Sequence, residues 1–416
     1  MLIHSASQLL TIAGGPQRGQ ALGNLGIIPA GAVLIQDGEI AAVGSSSELR
    51  SIYPNEPQLD AGGKVVLPGF VDPHTHAIWV GDRAAEFETR LQGKSYLEIL
   101  KEGGGILSTV RATRAASLEK LISETQPRLW SMFKHGTTTA EIKTGYGLST
   151  EIEMRMLKAL LALDKEGPLE IVPTFLGAHA IPPEYKDCPD EYAKLLCDTM
   201  IPSLHEWWSQ RASGYELPFV DVFCETGAFS LEQSRAILGK ARELGFPLKI
   251  HADEFDNLGG TSLAVKLGAV SADHLVATSQ EDIDAIAQSD TVAVALPCTP
   301  FGLAEEHYTP AREILAAGGI LAIATDLNPG TAWCESMQFV LALACRYLRL
   351  TPAQAISAGT INSAAAVGRA DRIGSLEVGK QADLQILSIA DYRHLGYRFG
   401  TNLVQTVIKK GQVYTT

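Results

Sequence analysis

Short apolar runs alternate with amphipathic stretches through the middle of the chain. The intervening stretches, such as residues 151–164, 231–244 and 281–288, carry apolar residues at helical spacing, as a crossover between parallel strands requires. The short runs are rich in apolar and β-branched residues, which is typical of buried strands. Eight such runs follow one another: Phe70–His76, Thr137–Lys143, Glu170–His179, Phe219–Thr226, Pro247–Glu254, Ser271–Leu275, Thr291–Cys298 and Ile320–Asp326. Eight β/α units predict an α/β fold, a (β/α)8 TIM barrel.

The two ends of the chain show a different pattern, in which short alternating runs are separated by turn signals. Ala32–Gln36 and Glu39–Val43 flank Asp37-Gly38, and Asp-Gly between two alternating runs is typical of a β-hairpin. The same pattern returns in three runs near the C terminus: Ala382–Leu387, Val404–Ile408 and Gln412–Tyr414. We therefore expect both ends to form one small β-sandwich domain.

The length of the chain agrees with this division. At 416 residues it exceeds the usual size of one domain, but a barrel of roughly 250 residues plus an accessory domain accounts for it. We expect the barrel at residues 67–368, with residues 1–66 and 369–416 supplying the two parts of the β-domain.

Charge and hydropathy exclude several kinds of partner. A net charge of -13 at pH 7 would repel nucleic acid and anionic membranes, and no Lys/Arg run exceeds the pair Lys409-Lys410. The first residues lack the features of a secretory signal. The longest apolar stretch, about Ile314–Ala324, is too short to cross a bilayer, which needs about 20 helical residues. We expect a cytoplasmic protein without nucleic-acid or membrane partners.

Residues with metal-ligand chemistry stand at the ends of several predicted strands. His74 and His76 close the first strand, and side chains two apart on a strand point to the same face. Such a pair alone is often only a polar loop tip. However, His251 ends the fifth strand and Asp326 the eighth, and barrel enzymes gather their chemistry at these strand ends. Imidazoles with one carboxylate suit zinc or a comparable divalent transition metal, so we predict these four residues as ligands.

Two further residues are placed to handle protons. Glu254 lies three residues beyond His251, close enough to act as an acid or base near a bound substrate; the alternative is a solvated loop acid. His274, at the end of the sixth strand, is suited to three roles: a further ligand, a polariser of the attacked carbonyl, or a proton carrier. The sequence does not rank these three roles.

Four longer segments carry a family resemblance. Leu67–His76 resembles the opening of the metal-dependent amidohydrolase superfamily, and three more segments closely resemble the imidazolonepropionases within it: Thr137–Leu148, Phe175–Tyr185 and Ala324–Thr331. The likeness runs from about residue 30 to the C terminus. It implies hydrolysis of the ring amide C–N bond of 4-imidazolone-5-propanoate, a small anionic heterocycle, to N-formimino-L-glutamate in histidine degradation. It also implies one divalent or trivalent metal ion, zinc or iron, whose identity His and carboxylate ligands do not determine.

The resemblance also implies which residues contact the substrate. Arg83 would bind the propionate, because a guanidinium meets a carboxylate bidentately. Tyr146 and His179 would hydrogen-bond the ring or the carboxylate, and Glu254 would contact a ring nitrogen. Three residues beyond the eighth strand would hold polar groups of the product, although Asn-Pro-Gly is also ordinary turn chemistry: Asn328, Gly330 and Thr331.

Two other features bear on the site. Gly103-Gly104-Gly105 is not followed by Gly-Lys-Ser/Thr, which argues against a nucleotide-binding loop. We expect instead a flexible segment near the barrel mouth. Whether this segment closes as a lid is an open question. Some superfamily members bridge two metals with a carbamylated lysine at the end of the fourth strand, but that strand ends here without a lysine. Lys143, at the end of the second strand, is the nearest substitute in kind, and we expect a single metal.

Two rival functions remain. A heterocycle aminohydrolase, such as a guanine- or cytosine-type deaminase, would use the same ligands but release ammonia; Arg83 and Tyr146 favour an anionic substrate instead. A catalytically silent barrel acting as a scaffold would have lost a ligand, and none is lost. The sequence does not reveal the oligomeric state, although a homodimer is the common choice for a cytosolic enzyme.

Overall fold

The computed structural model of the protein describes residues 1–94 and 104–415. Strands occur throughout these residues, and those we number are, in chain order, β1 (Leu2–Leu10), β2 (Ile27–Gln36), β3 (Glu39–Ser45), β4 (Gln58–Asp60), β5 (Val65–Pro68), β6 (Phe70–Asp72), β7 (Thr137–Lys143), β8 (Glu170–Ala178), β9 (Phe219–Cys224), β10 (Lys249–Ala252), β11 (Ser271–His274), β12 (Val292–Ala295), β13 (Leu321–Ile323), β14 (Leu384–Leu387), β15 (Val404–Lys409) and β16 (Gln412–Thr415).

Helices connect most of these strands. Several begin at a side-chain cap: Ser230 with Gln233, and Thr351 with Gln354, form capping boxes that satisfy the first free N–H groups. The α-helices of the described residues are α1 (Ser46–Ile52), α2 (Ala84–Leu91), α3 (Ile106–Ala115), α4 (Leu118–Lys134), α5 (Thr150–Glu166), α6 (Pro189–Leu195), α7 (Ile201–Arg211), α8 (Leu231–Glu243), α9 (Gly260–Leu267), α10 (Gln280–Ala287), α11 (Cys298–Leu303), α12 (Ala311–Ala316), α13 (Met337–Tyr347), α14 (Pro352–Ser357), α15 (Ser363–Ala366) and α16 (His394–Tyr397).

The barrel predicted from the alternating runs is confirmed. Strands β6 to β13 lie side by side in chain order in one sheet, and all neighbouring pairs are parallel. Each of the eight predicted runs contains one of these strands. Most of the runs extend beyond the hydrogen-bonded strand, because their polar ends continue into the loops at the barrel mouth. The first barrel strand, β6, stops at Asp72 because Pro73 has no N–H group to continue the ladder.

Hydrogen bonds just beyond β6 and β13 join the two edges of this sheet. Asp326 N donates to His74 O at 3.1 Å, and His76 N donates to Leu327 O at 2.9 Å. The joined edges place the end of the first barrel strand beside the end of the eighth, although the two are far apart in the sequence.

Both chain ends enter the second sheet, as the turn signals predicted. Its order is β16-β15-β14-β5-β1-β2-β3, with β4 paired to β1, so strands from the C terminus continue those from the N terminus. The hairpin between β2 and β3 turns at Asp37 and Gly38, with φ of 51° and 82°, as a tight hairpin turn requires. The chain leaves this sheet at Pro68 and enters the barrel at Phe70. A Cβ placed on the residue between them, Gly69, would come within 2.3 Å of Thr138 Oγ1.

Within residues 1–94 and 104–415, no helix combines the length and the apolar character needed to cross a bilayer.

A buried charge cluster ties the barrel to the second sheet. Glu170, at the start of β8, accepts from Lys409 Nζ at 3.1 Å and from the Arg369 guanidinium. Lys409 Nζ also donates to Asp383 at 2.6 Å. Burial alone would raise the pKa of Glu170, but Lys409 and Arg369 hold it well below its usual range. The cluster therefore stabilises the ionised carboxylate where the two sheets meet.

We expect Glu170→Gln to lower the free energy of unfolding by roughly 3–5 kcal/mol at pH 7, because it removes the carboxylate that the cations Lys409 and Arg369 share. Glu151→Gln is the matched control: Glu151 pairs with Arg155 but is 82% exposed, so we expect a loss of about 0.5 kcal/mol or less. Urea denaturation measures both. A depressed carboxyl pKa contributes stability above the unfolded pKa, so the Glu170 difference should shrink below about pH 4. Equal losses in the two variants would contradict this.

Candidate metal centre and substrate pocket

Four predicted ligands converge at the barrel mouth. His74 Nε2 and His76 Nε2 lie 3.4 and 3.5 Å from Asp326 Oδ1, and His251 Nε2 lies 3.3 Å from His76 Nε2. All four side chains are buried. His74, His76 and Asp326 each offer a ligand atom within 4.8 Å of the others, a separation at which one ion can be shared. The geometry thus brings together the four residues that the sequence selected.

The outer nitrogens of two of these histidines face carboxylates. His74 Nδ1 bonds Asp273 Oδ2 at 2.6 Å, and His251 Nδ1 lies 3.0 Å from Asp221 Oδ2. His74 Nε2 is buried and has no hydrogen-bond partner, which is costly unless something else satisfies it. A carboxylate behind the histidine and a free nitrogen in front is the arrangement of metal-binding histidines. The donor set therefore fits a divalent transition metal.

His74 and His76 are also in the charge state that a metal requires. Burial and nearby cationic groups hold the pKa of His74 and of His76 well below the usual range, so both imidazoles are neutral. Burial raises the pKa of Asp326 to about 6. The Thr299 hydroxyl donates a hydrogen bond to Asp326 Oδ2, a contact that the sequence did not reveal.

His274 belongs to the same cluster. Its ring centre lies 5.4 Å from that of His74, and it forms a second group of closely spaced ligand atoms with His74 and His251. Its Nε2 lies 3.6 Å from Glu254 Oε2. The position is compatible with each of the three roles that the sequence left open.

Glu254 lies beside this cluster rather than in open solvent, because only 12% of its side chain is exposed. Burial and the charge of Asp326 raise its pKa well above the usual value. The turn that follows is held by Glu225, whose carboxylate accepts from Phe255 N at 3.0 Å and from Asp256 N at 3.2 Å. Glu225 directly follows β9, the fourth barrel strand, which in some superfamily members ends in a lysine, and its role was not predicted.

The predicted carboxylate receptor already has an acidic partner. Arg83 Nε donates to Glu86 Oε1 at 3.0 Å, and a second guanidinium nitrogen bonds the same oxygen. This pair was not predicted, although its spacing by three residues is a signal that could have revealed it. Gly330 packs directly against the guanidinium, since a Cβ there would come within 2.3 Å of Arg83 Nη1. Arg90 donates to Gly330 O at 3.1 Å, which joins α2 to the loop after the eighth strand.

The loop after β13 shows the turn chemistry that was the alternative to substrate binding. Asn328 Oδ1 accepts from Gly330 N and Thr331 N, both at 2.8 Å, and its amide donates to Asp326 O at 2.7 Å and to Thr331 Oγ1 at 3.0 Å. These bonds hold the loop in shape next to the carboxylate of Asp326, a predicted ligand.

Two aromatic residues lie beside the predicted ligand His76. The ring of His179 stacks on it with centres 4.7 Å apart, and Tyr146 lies 5.3 Å from His179. His179 Nδ1 lies 3.1 Å from Gly145 O, which identifies Nδ1 as the protonated nitrogen. Burial lowers the pKa of His179 to about 3, so its ring is neutral.

Lys143 is not available for carbamylation. Its Nζ lies 2.7 Å from Glu141 Oε1 and 2.8 Å from Asp221 Oδ2. Burial alone would lower the pKa of Lys143, but these carboxylates hold it above its usual value, and carbamylation needs a neutral amine.

The predicted flexible segment Gly103–Gly105 lies partly outside the described residues. Of its described part, Gly105 N donates to Glu86 at 2.8 Å.

The chain is similar to known proteins along nearly its whole length. Residues 65–414 match the amidohydrolase family, and residues 31–55 match the imidazolonepropionase-like composite domain of bacteria. An imidazolonepropionase of Herpetosiphon aurantiacus is 54% identical over 412 residues, which cover 99% of this chain and 96% of that protein. One of Chloroflexus aggregans is 48% identical over 420 residues, covering 100% and 98%. The chain belongs to the imidazolonepropionase family of amidohydrolases.

This membership confirms the family and the hydrolase class expected from the motifs. Among solved structures, a zinc-bound adenosine deaminase from Xanthomonas campestris superposes with a TM-score of 0.71 and 19% identity, covering 100% of this chain and 92% of that one. At that identity the likeness shows the shared fold and does not support the deaminase alternative.

We expect Glu225→Ala to speed amide hydrogen exchange at Phe255 and Asp256, because their N–H groups lose their acceptor, and to cost roughly 1–3 kcal/mol of stability. Glu232→Ala, on the exposed side of α8, is the control and should leave both amides unchanged. Exchange measured by mass spectrometry decides; unaltered exchange in Glu225→Ala would show that the turn is held by other contacts.

Proposed function

We propose that the chain hydrolyses the ring amide C–N bond of 4-imidazolone-5-propanoate to N-formimino-L-glutamate in histidine degradation. The observation that carries this proposal is the 54% identity over 99% of the chain to a protein named imidazolonepropionase. The geometry at the barrel mouth supports it, because the histidines and Asp326 suit a metal, Glu254 and His274 lie close together, and Arg83 packs against Gly330 in the loop that follows Asp326.

The proposed ligands of one metal ion, zinc or iron, are His74, His76, His251 and Asp326. A divalent ion bound there would act as a Lewis acid and lower the pKa of a water, so that hydroxide is available near neutral pH. What supports the assignment is the unpartnered buried Nε2 of His74, together with the neutral state of His74 and His76.

Glu254 and His274 are the proposed proton carriers. Water adds its oxygen to the ring carbonyl carbon while one of its protons passes to Glu254, and the same carboxyl then protonates the ring nitrogen as the C–N bond breaks. The 3.6 Å separation of Glu254 Oε2 and His274 Nε2 supports a shared role. His274 relays protons with Glu254 or polarises the attacked carbonyl.

The proposed substrate contacts are those that the family resemblance implied: Arg83, Tyr146, His179, Glu254, Asn328, Gly330 and Thr331. Arg83 is the cation suited to the propionate, and the substrate carboxylate must share it with Glu86. Asn328 is held by its own turn, so its contribution is to place the loop that carries Gly330 and Thr331.

Other expectations also remain proposals. They are the barrel at residues 67–368 flanked by residues 1–66 and 369–416, a cytoplasmic location, and a homodimer.

The purified protein is expected to convert imidazolonepropionate to N-formimino-L-glutamate without releasing ammonia, and to contain about one metal ion per chain. Product analysis, an ammonia assay and elemental analysis measure this. Ammonia release from a purine or pyrimidine base, with imidazolonepropionate untouched, would favour the aminohydrolase. A metal-free, inactive protein would support the silent barrel.

We expect Glu254→Gln to lower kcat by about 10²- to 10⁴-fold while the metal content stays unchanged, because the amide carries no transferable proton. Glu305→Gln is the control: Glu305 is an exposed acid whose charge acts on Glu254, and its loss should leave kcat within about twofold. Steady-state kinetics with metal analysis separates the two. Unchanged turnover of Glu254→Gln with metal retained would remove Glu254 from the mechanism.

A further inference from the structure

Lys143 carries a buried ammonium group close to the carboxylates that face the proposed metal ligands His74 and His251. The side chain of Lys143 is 0% exposed, and its Nζ lies 2.7 Å from Glu141 Oε1, 2.8 Å from Asp221 Oδ2 and 3.7 Å from Asp273 Oδ2. The interior of such a barrel is usually filled with branched apolar side chains. A lysine with three carboxylates in that position needs a reason beyond packing, because burying charges is costly even when they are paired.

Two of these carboxylates also face the proposed ligands. Asp221 Oδ2 lies 3.0 Å from His251 Nδ1, and Asp273 Oδ2 lies 2.6 Å from His74 Nδ1. In each case the same carboxylate oxygen faces both the histidine and Lys143. The ammonium therefore stands between the partners of two ligand histidines that come from different strands, β10 and the end of β6.

We propose that Lys143 is a positioning residue for the metal centre. By holding Asp221 and Asp273 in place, it orients the His251 and His74 rings so that both present Nε2 to the ion. The inference rests on the proposed metal site but not on the identity of the substrate. It adds to the four proposed ligands one residue that would support two of them through their carboxylate partners. Such partners behind metal-binding histidines affect metal affinity strongly.

Positioning and simple charge repulsion predict opposite results. Lys143 is a cation near a cation site, so removing its charge would by itself tighten metal binding. Loss of positioning would instead weaken binding, because the carboxylates behind the histidines are released. The sign of the change in affinity thus distinguishes a support from a bystander charge.

Lys249 provides a matched control. It is equally buried, and it lies 3.9 Å from Asp273 Oδ2, but its Nζ donates to Pro73 O and Ser271 Oγ, both at 3.0 Å. Lys249→Met removes a buried charge from the same layer and leaves Lys143 between Asp221 and Asp273. A general effect of removing a buried charge would change zinc affinity in both variants. Loss of positioning would change it mainly in Lys143→Met.

The experiment measures zinc affinity of the full-length protein by chelator competition, without substrate, in wild type, Lys143→Met, Lys143→Gln and Lys249→Met. We expect Lys143→Met to bind zinc on the order of 10- to 100-fold more weakly, and Lys143→Gln, which keeps a donor, less so. Lys249→Met should stay within a few-fold of wild type. The visible spectrum of the cobalt-substituted protein should shift in Lys143→Met, because the ligand geometry changes.

Zinc affinity of Lys143→Met that is unchanged or tighter, or an equal loss in Lys249→Met, would overturn the inference. If Lys143→Met does not fold, Lys143→Gln decides by the same criterion. Wild type that binds zinc but does not turn over imidazolonepropionate refutes the proposed function alone. Wild type that binds no zinc overturns the positioning role itself.

Discussion

The structure depends on joining the two edges of its parallel sheet. Asp72, at the end of the first barrel strand, accepts from the Thr325 hydroxyl at 2.6 Å and from Thr325 N at 3.1 Å. Asp326 N, one residue further on, donates to the carbonyl of His74. These bonds fix the register of the first strand against the eighth, which places His74 and Asp326 within reach of one ion. Burial raises the pKa of Asp72 to about 7, and the Thr325 bonds oppose that rise.

Beneath the mouth, the barrel replaces part of its apolar filling with a charged layer. Lys143 and Lys249 lie among the carboxylates of Glu141, Asp221 and Asp273, and all five are fully buried. Such a layer stabilises a fold weakly, because desolvation offsets the attraction between the charges. It does impose orientation, because each carboxylate oxygen has a fixed neighbour. For Lys143, Asp221 and Asp273, the proposed orientation of His74 and His251 is therefore a better explanation than stability.

The sequence predicted the strands, and it selected four strand-end residues as candidate ligands, because both leave local signals. A buried parallel strand is a short apolar run, and His74 with His76 is a recognisable pair. The supports leave no such signal. Asp221 reads as the polar member of an alternating strand, and it becomes a histidine partner only when barrel closure decides which face is interior. Glu86, by contrast, could have been paired with Arg83 from their helical spacing.

Backbone strain is concentrated where the candidate site lies. Asp253, His274 and Asp326 have φ of 56°, 81° and 52°, in the left-handed region that costs residues other than glycine about 1–3 kcal/mol each. Each carbonyl is held by a hydrogen bond. Ala277 N donates to Asp253 O at 2.7 Å, Thr309 Oγ1 to His274 O at 2.6 Å, and Asn328 Nδ2 to Asp326 O at 2.7 Å.

These bonds explain how the strained turns persist. The three turns follow different strands, and each redirects the chain within two residues of a side chain that the site uses. A site assembled from strand ends would otherwise relax toward ordinary loop conformations, and its ligand atoms would move apart. Holding the carbonyls makes the arrangement part of the fold, so the donor atoms are already close together before any ion or substrate binds.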